Sequence, residues 1–298
     1  MPPEVTATLL DWHVDGQVLG KVRPRLAQLL CDAQPNVFEL EDDRRRLVLS
    51  ETIAPTCEAR TEAIASVMET LRETGVVEGW RNELYPIASQ FGQDPVVLVE
   101  RAAVPYLGAL EYGVHMNGII STSPDDSSSS NRSTPGAPTK LWMARRSATK
   151  SKYPGMVDHL VAGGQPAGLS LWENAVKECQ EEAGLSADLA RAGLRPVGAV
   201  SYETYSDRTE TVARAVLFTY DLYVPADFVP TPVDGEVQAF FPWTVDQMVE
   251  SLHPDYADPL KPNCYLVMID WLLRHGHVSP DTPGYLQVLK ALRSGDCQ

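Results

Sequence analysis

The sequence predicts an α+β protein built around a mixed sheet, and three observations predict it. Between Val157 and Trp243, strand-like segments take turns with helix-like ones. One helical stretch in that span, "SLWENAVKECQEEAGL", has a start signal and a stop signal in register with its apolar spacing. The chain before and after the span has a different texture, which divides it into residues 1–107, 108–252 and 253–298. At 298 residues, 44% of them hydrophobic, the chain has material for a sizeable core with extensions on either side.

Residues 1–107 read as a smaller α+β domain in which helical stretches dominate. "TCEARTEAIASVMETLRETG" has apolar residues at helical spacing and Gly75 where a helix stops. "DPVVLVERAA" is a strand or a buried helix, and periodicity does not choose between them. "YGVHMNGIIS" and "LWMARRS" follow as two strands, joined by the Ser-, Pro- and Gly-rich residues 122–139, which cannot bury a core and read as a long flexible hairpin connection. "MVDHLVAGG" is a strand running into a glycine loop. "LRPVGAVSYETYS", "TVARAVLFTYDLYVP" and "VQAFFPWT" are further strands. "CYLVMIDWLLRHG" and "DTPGYLQVLKALRSG" read as two C-terminal helices. No internal repeat is present.

The formal net charge of −15 argues against nucleic acid or an anionic membrane as partner, since both call for a basic surface. A phosphorylated substrate remains open to an acidic protein when metal ions supply the positive charge. The cysteines (Cys31, Cys57, Cys179, Cys264 and Cys297) are odd in number and have no CxxC spacing, so free thiols in a reducing compartment are expected. No signal-peptide pattern and no membrane-spanning apolar run is seen, so a soluble, cytoplasmic protein is the expectation.

The chemistry concentrates in "GGQPAGLSLWENAVKECQEEAGL", residues 163–185. Ser170 and Glu173 have capping-box spacing and start the helix. At about 100° per residue, Trp172, Ala175, Val176, Cys179 and Ala183 gather on one side, with Glu178, Glu181 and Glu182 roughly opposite. Carboxylates at such spacing repel by a few tenths of a kcal/mol per pair, so a solvated acidic face is the ordinary reading of the glutamates alone. Gly163 and Gly164 tip the reading toward a site, because they let the backbone fold close to the carboxylates and offer a carbonyl beside them. Oxygen ligands in a partly open cluster suit Mg²⁺ or Mn²⁺ bridging to phosphates.

This stretch resembles the Nudix box, Gx5Ex7REUxEExGU with U apolar. Lys177 to Leu185 cover REUxEExGU with lysine for arginine; Leu169 stands where the box has its first glutamate, and the loop is one residue short if Gly164 is the box glycine. Those changed positions are ones that, in the family, tie the loop to the helix. The resemblance implies an α/β/α sandwich, metal ligation by Glu178, Glu181, Glu182 and the Gly164 carbonyl, and hydrolysis of a small-molecule diphosphate. A narrower resemblance runs through "GWRNELYPI", "ERAAVPYLG", "YGVHMNG", "WMARRSATK", "AGGQPAG" and "KPNCYLV". These are similar to the Nudix subfamily that some fungi fuse to thiamin pyrophosphokinase. It implies cleavage of thiamin diphosphate, or of its oxidised and damaged analogues, to the monophosphate.

Within that frame Glu178 and Glu182 are the catalytic candidates, joined by Glu236, whose Asp-Gly-Glu turn precedes a strand and can aim a carboxylate into a cleft. Glu203 and Glu210 compete with them as general bases. Of the adjacent Arg145 and Arg146, only one can face the cleft, and Arg145 is favoured for phosphate contact, with Gly163 and Gly164 lining the substrate. Trp142 is a candidate for stacking on an aromatic ring, although a strand tryptophan is more often core. Lys150 and Lys152 read as solvent-facing loop lysines, Asn263 as a helix cap, and His275 and His277 as helix-end residues. The competing functions are an ADP-ribose or other nucleoside diphosphate-linked hydrolase, a silent Nudix-like binding module, and an isopentenyl diphosphate isomerase, which lacks a well-placed cysteine here. The N-terminal segment covers the cleft, selects the organic half of the substrate or builds a homodimer; composition does not choose.

Overall fold

The computed structural model describes residues 1–50, 55–120, 137–150 and 152–295. Most of the 122–139 connection and Cys297 lie outside the described residues.

The N-terminal region holds more strand than its helical texture predicts. After the single turn α1 (Pro3–Thr6) come β1 (Leu10–Val14), β2 (Gln17–Val22), α2 (Pro24–Ala33), β3 (Phe38–Glu41) and β4 (Arg46–Leu49). The strands form one sheet in the order β2-β1-β4-β3, with β1 and β4 parallel and the other pairs antiparallel. Strands of four to six residues are too short for their alternation to stand out in sequence. The predicted helix is α3 (Cys57–Glu73), started by Thr56, whose side chain accepts from the Ala59 N–H. The ambiguous "DPVVLVERAA" contains a strand: β5 (Leu84–Ile87) and β6 (Val97–Glu100) pair antiparallel, with Val97 and Val99 facing the core. Trp12, Leu26, Leu30, Leu47, Ile64 and Met68 fill that core. Burying each such side chain contributes roughly 1.5–3 kcal/mol.

The central sheet follows the predicted strands closely. β7 (Leu110–Ile120) and β8 (Lys140–Arg146) pair through only Gly118–Trp142 and Ile119–Leu141 and then diverge. "MVDHLVAGG" enters the gap and splits into β9 (Val157–His159), which pairs with β8, and β10 (Val161–Gly164), which pairs with β7. The loop then leads into α4 (Leu171–Ala183) and the short α5 (Ala187–Gly193). β11 (Leu194–Tyr205), β12 (Val212–Val224) and β13 (Val237–Thr244) complete a mixed sheet of order β11-β12-β7-β8-β13, in which β12 and β7 are parallel. The chain ends through α6 (Val245–Glu250), α7 (Pro262–Arg274) and α8 (Tyr285–Ala291).

Helices cover both faces. Val114, Met116, Tyr220 and Leu222 pack with Ala175, Val176 and Cys179 of α4 on one side. Ile119, Leu141, Met143 and Trp243 pack with Cys264, Met268 and Trp271 of α7 on the other. Alternation along β7 explains the division, since successive side chains point to opposite faces. Among the described residues no helix is long and apolar enough to cross a membrane.

Candidate active site

Helix α4 begins as its sequence requires. The Glu173 N–H donates to Ser170 Oγ (3.2 Å) and the Ser170 N–H donates to Glu173 Oε2 (3.0 Å), so both halves of the capping box are made. It ends at Gly184, whose φ of 68° is the left-handed conformation that favours glycine. Two residues depart from the expected faces. Trp172 is 37% exposed rather than core, and Glu182, placed by periodicity opposite the apolar side, is 8% exposed. The reason is the neighbouring strand: the Ala162 N–H of β10 donates to Glu182 Oε2 at 3.0 Å, drawing the carboxylate inward.

The glycine pair is needed for close approach. A Cβ on Gly163 would collide with the Glu178 carboxyl group, and one on Gly164 would collide with the Tyr85 hydroxyl and come within 3.4 Å of the Arg101 guanidinium carbon. The Gly164 carbonyl, expected to face a metal, accepts from Asn174 Nδ2 of helix α4 at 2.8 Å. Asn174 also donates to Gln165 Oε1 (3.1 Å), and Gln165 Nε2 donates to the Leu169 carbonyl (2.6 Å). The loop is thus tied to the helix by amides, at the place where Leu169 and Lys177 depart from the motif.

Three carboxylates leave α4 in graded environments. Glu181 is half-exposed and pairs with Lys177 at 2.5 Å; Glu178 keeps 14% of its side chain exposed, and Lys177 stands 3.4 Å away. Burial raises the Glu178 carboxyl above its usual range, and Lys177 offsets only part of that. Burial likewise raises Glu182. The Ala162 N–H pulls it back, while the charges of Glu178 and Asp158 push it further up. The Asp-Gly-Glu turn before β13 adds two more acids, so that Glu182, Asp234 and Glu236 each place an oxygen within 4.8 Å of the others. Lys150, expected in solvent, contacts Glu236 with 14% of its side chain exposed, and burial lowers its pKa.

Residues 134–264 match the NUDIX domain, and residues 4–111 match a domain of unknown function, DUF4743. The chain is 44% identical over 294 residues to Nudix hydrolase 24, chloroplastic, of Arabidopsis thaliana, covering 99% of this chain and 75% of that protein. This chain belongs to the Nudix hydrolase family. Nudix hydrolase 20, chloroplastic, of the same plant is 44% identical over 300 residues with the same coverage. An uncharacterized protein of Saccharomyces cerevisiae is 31% identical over 262 residues, covering 85% of this chain and 72% of that one.

Nudix hydrolases generally use divalent metals, and the acids here fit one. Among the described residues, buried Glu182 has a single hydrogen-bond donor, and the oxygens of Asp234 and Glu236 stand beside it. Several other predicted positions move. Arg145, expected to contact phosphate, is bonded bidentate to Asp258 (2.5 and 2.6 Å) and lies over the Phe241 ring. Its neighbour Arg146 takes the inner face and pairs with Asp158 at 2.7 Å. Trp142 is partly buried and packs against the core under α4. Glu203 is paired with Arg214 (3.1 Å) and Glu210 with Arg23 (3.0 Å). Asn263 is no cap: Pro262 starts α7, and Asn263 bonds the Tyr202 hydroxyl. His275 closes α7 and bonds Asp221 at 2.8 Å, while His277 stacks on Trp271.

Asp234, Lys150, Tyr85 and Arg101 were missed by sequence reasoning. Asp234 was readable from the same turn as Glu236. The other three arrive from segments distant in the chain and carried no local signal.

Proposed function

We propose that this Nudix hydrolase cleaves the diphosphate linkage of a small molecule with Mg²⁺ or Mn²⁺ held by Glu178, Glu181 and Glu182. We further propose thiamin diphosphate or its oxidised analogues as substrate, with the monophosphate as product. The observation that carries the reading is Glu182, a buried carboxylate with one backbone donor and two more carboxylates beside it. Such an arrangement has excess negative charge that a cation relieves. A bound divalent ion supplies charge neutralisation on the diphosphate and acidifies a water. The chain's own part is to hold the acids in place, through Asn174 on the loop and Ala162 on Glu182, and to offer Glu236 as the acceptor of the water's proton. Lys150, against Glu236, places a positive charge at the same turn.

The organic half of the substrate rests on the resemblance of "GWRNELYPI", "ERAAVPYLG" and "KPNCYLV" to the thiamin pyrophosphokinase-associated subfamily. A phosphate-release panel with Mg²⁺ tests both halves. Turnover of oxythiamin diphosphate and thiamin diphosphate above ADP-ribose is expected. Turnover of ADP-ribose alone would move the substrate to the nucleoside diphosphate-linked class, and no turnover of any diphosphate would make the chain a binding module.

A further inference from the structure

The N-terminal region reaches the glycine loop of the active site, and the way it does so is specific. Glu100 is 5% exposed, and its carboxylate accepts three backbone N–H groups: Arg81 (2.8 Å), Glu83 (3.2 Å) and Ala102 (3.2 Å). A buried carboxylate with three backbone donors is a rigid clamp. It holds together two segments, 81–83 and 101–102, that are separated along the chain but both present arginines. The Arg101 N–H also donates to the Glu83 carbonyl at 2.8 Å. From the same sheet, the Leu84 carbonyl accepts the Ala167 N–H at 3.0 Å, and the Tyr85 hydroxyl fills the space a Gly164 side chain would take. The loop ahead of α4 is therefore fastened to β5 as well as to its own helix.

Arg101 is the cation this clamp presents. Its guanidinium carbon is 3.4 Å from the Cβ position of Gly164, lies 5.6 Å from the centre of the Tyr85 ring, and keeps 43% of its side chain exposed. Among the described residues it gives one hydrogen bond, to Glu83 Oε2 at 2.9 Å, so most of its five N–H donors point to no protein acceptor. Its charge acts on Glu178 of α4 and on Lys150, so it belongs to the electrostatics of the same site. A diphosphate needs positive charge on more than one side, and the acids of α4 cannot provide it. An arginine fork matches phosphate oxygens two at a time.

We propose that the N-terminal region completes the active site, with Arg101, braced by Glu83 and the buried Glu100, binding the phosphate oxygens of the substrate across the glycine loop from the acids of α4. This rests on the reading of the site as one for a diphosphate, and it gives the residues matched to a domain of unknown function a role in substrate binding.

The test uses the full chain and inorganic diphosphate with Mg²⁺ as probe, read by calorimetry, with Mn²⁺ binding in the absence of diphosphate read separately by electron paramagnetic resonance. Arg101→Gln is expected to weaken diphosphate binding about tenfold or more, and Arg101→Lys by less, since it keeps charge but not the fork. Mn²⁺ binding should stay within about twofold in both variants. Arg208→Gln, in the turn between β11 and β12, which breaks an exposed pair with Glu78 of the N-terminal region (3.1 Å), should change neither. Unchanged diphosphate affinity in Arg101→Gln overturns the proposal, as does a parallel loss of Mn²⁺ binding, which would mean a structural role. A wild-type protein that binds diphosphate through Arg101 but hydrolyses nothing removes the enzymatic reading and leaves this one standing.

Discussion

Two carboxylates in the molecule are almost equally buried and have opposite fates. Asp158 on β9 is 5% exposed and Glu182 on α4 is 8% exposed. Asp158 accepts from Arg146 (2.7 Å), Lys261 (3.3 Å), the Cys264 thiol (2.8 Å) and the His159 N–H (2.9 Å). Burial alone would raise its pKa, but Lys261, His115, the thiol and Arg146 outweigh that and hold the carboxyl well below the usual range. Glu182 has one backbone donor and two acidic neighbours acting on it, and its pKa goes up. Burial sets the stakes, and the partners decide the sign. Asp158 is a finished structural anion; Glu182 has only the charge of Lys150 to offset its burial and its acidic neighbours, and its pKa stays raised.

The largest expected effect tests the finished side. Asp158→Asn leaves Arg146 and Lys261 without their shared anion and should cost roughly 3–5 kcal/mol in urea unfolding. Glu182→Gln should cost little or nothing in the same measurement without metal. A comparable loss from both variants would break the comparison.

Next comes acid pH. Burial lowers His159 from 6.5 to about 4, and it lowers the facing His115 as well, its Nδ1 lying 3.3 Å from that of His159. The unfolded chain binds protons near pH 6.5 that the folded chain refuses, so stability is present above that pH and is lost as pH falls toward 4. His159 alone accounts for about 3 kcal/mol of this, measured as urea midpoints across pH. Glu182 has the opposite sign: its raised pKa gives stability at low pH that is lost as pH rises through it. Added Mg²⁺ should flatten only this alkaline arm; flattening of the acid arm would place the ion among His115, Asp158, His159 and Cys264, whose ligand atoms also lie within 4.8 Å of one another.

Glu182→Gln should also lower Mg²⁺-dependent phosphate release by about a hundredfold, close to 2.7 kcal/mol. Unchanged turnover would remove the metal role. The smallest effect is local: Ser170→Ala removes the capping hydroxyl from α4 and should cost about 1 kcal/mol of stability.

The helix, its caps and its acids were legible because their signals lie within a few residues of one another. Ser170, Glu173 and Gly184 do their work inside α4, and the sequence shows all three. The choice between Arg145 and Arg146 was not legible, since alternation says that they diverge but not which partner waits on each side; Asp258 and Asp158 settle it from far along the chain. The clustering of Glu236 with Lys150, and of Gly164 with Tyr85 and Arg101, depends on contacts between distant segments in the same way.

The sequence by itself determined most of the strands along the central region, the start and end of α4 and the set of acids that α4 carries. Periodicity does that because 100° per residue is a property of the backbone. Only the tertiary structure decided that Glu182 turns inward, that Asn174 ties the glycine loop to α4, and that the N-terminal region borders the site. Burial and charge compensation belong to whatever packs against a residue, and no spacing along one chain segment contains that information.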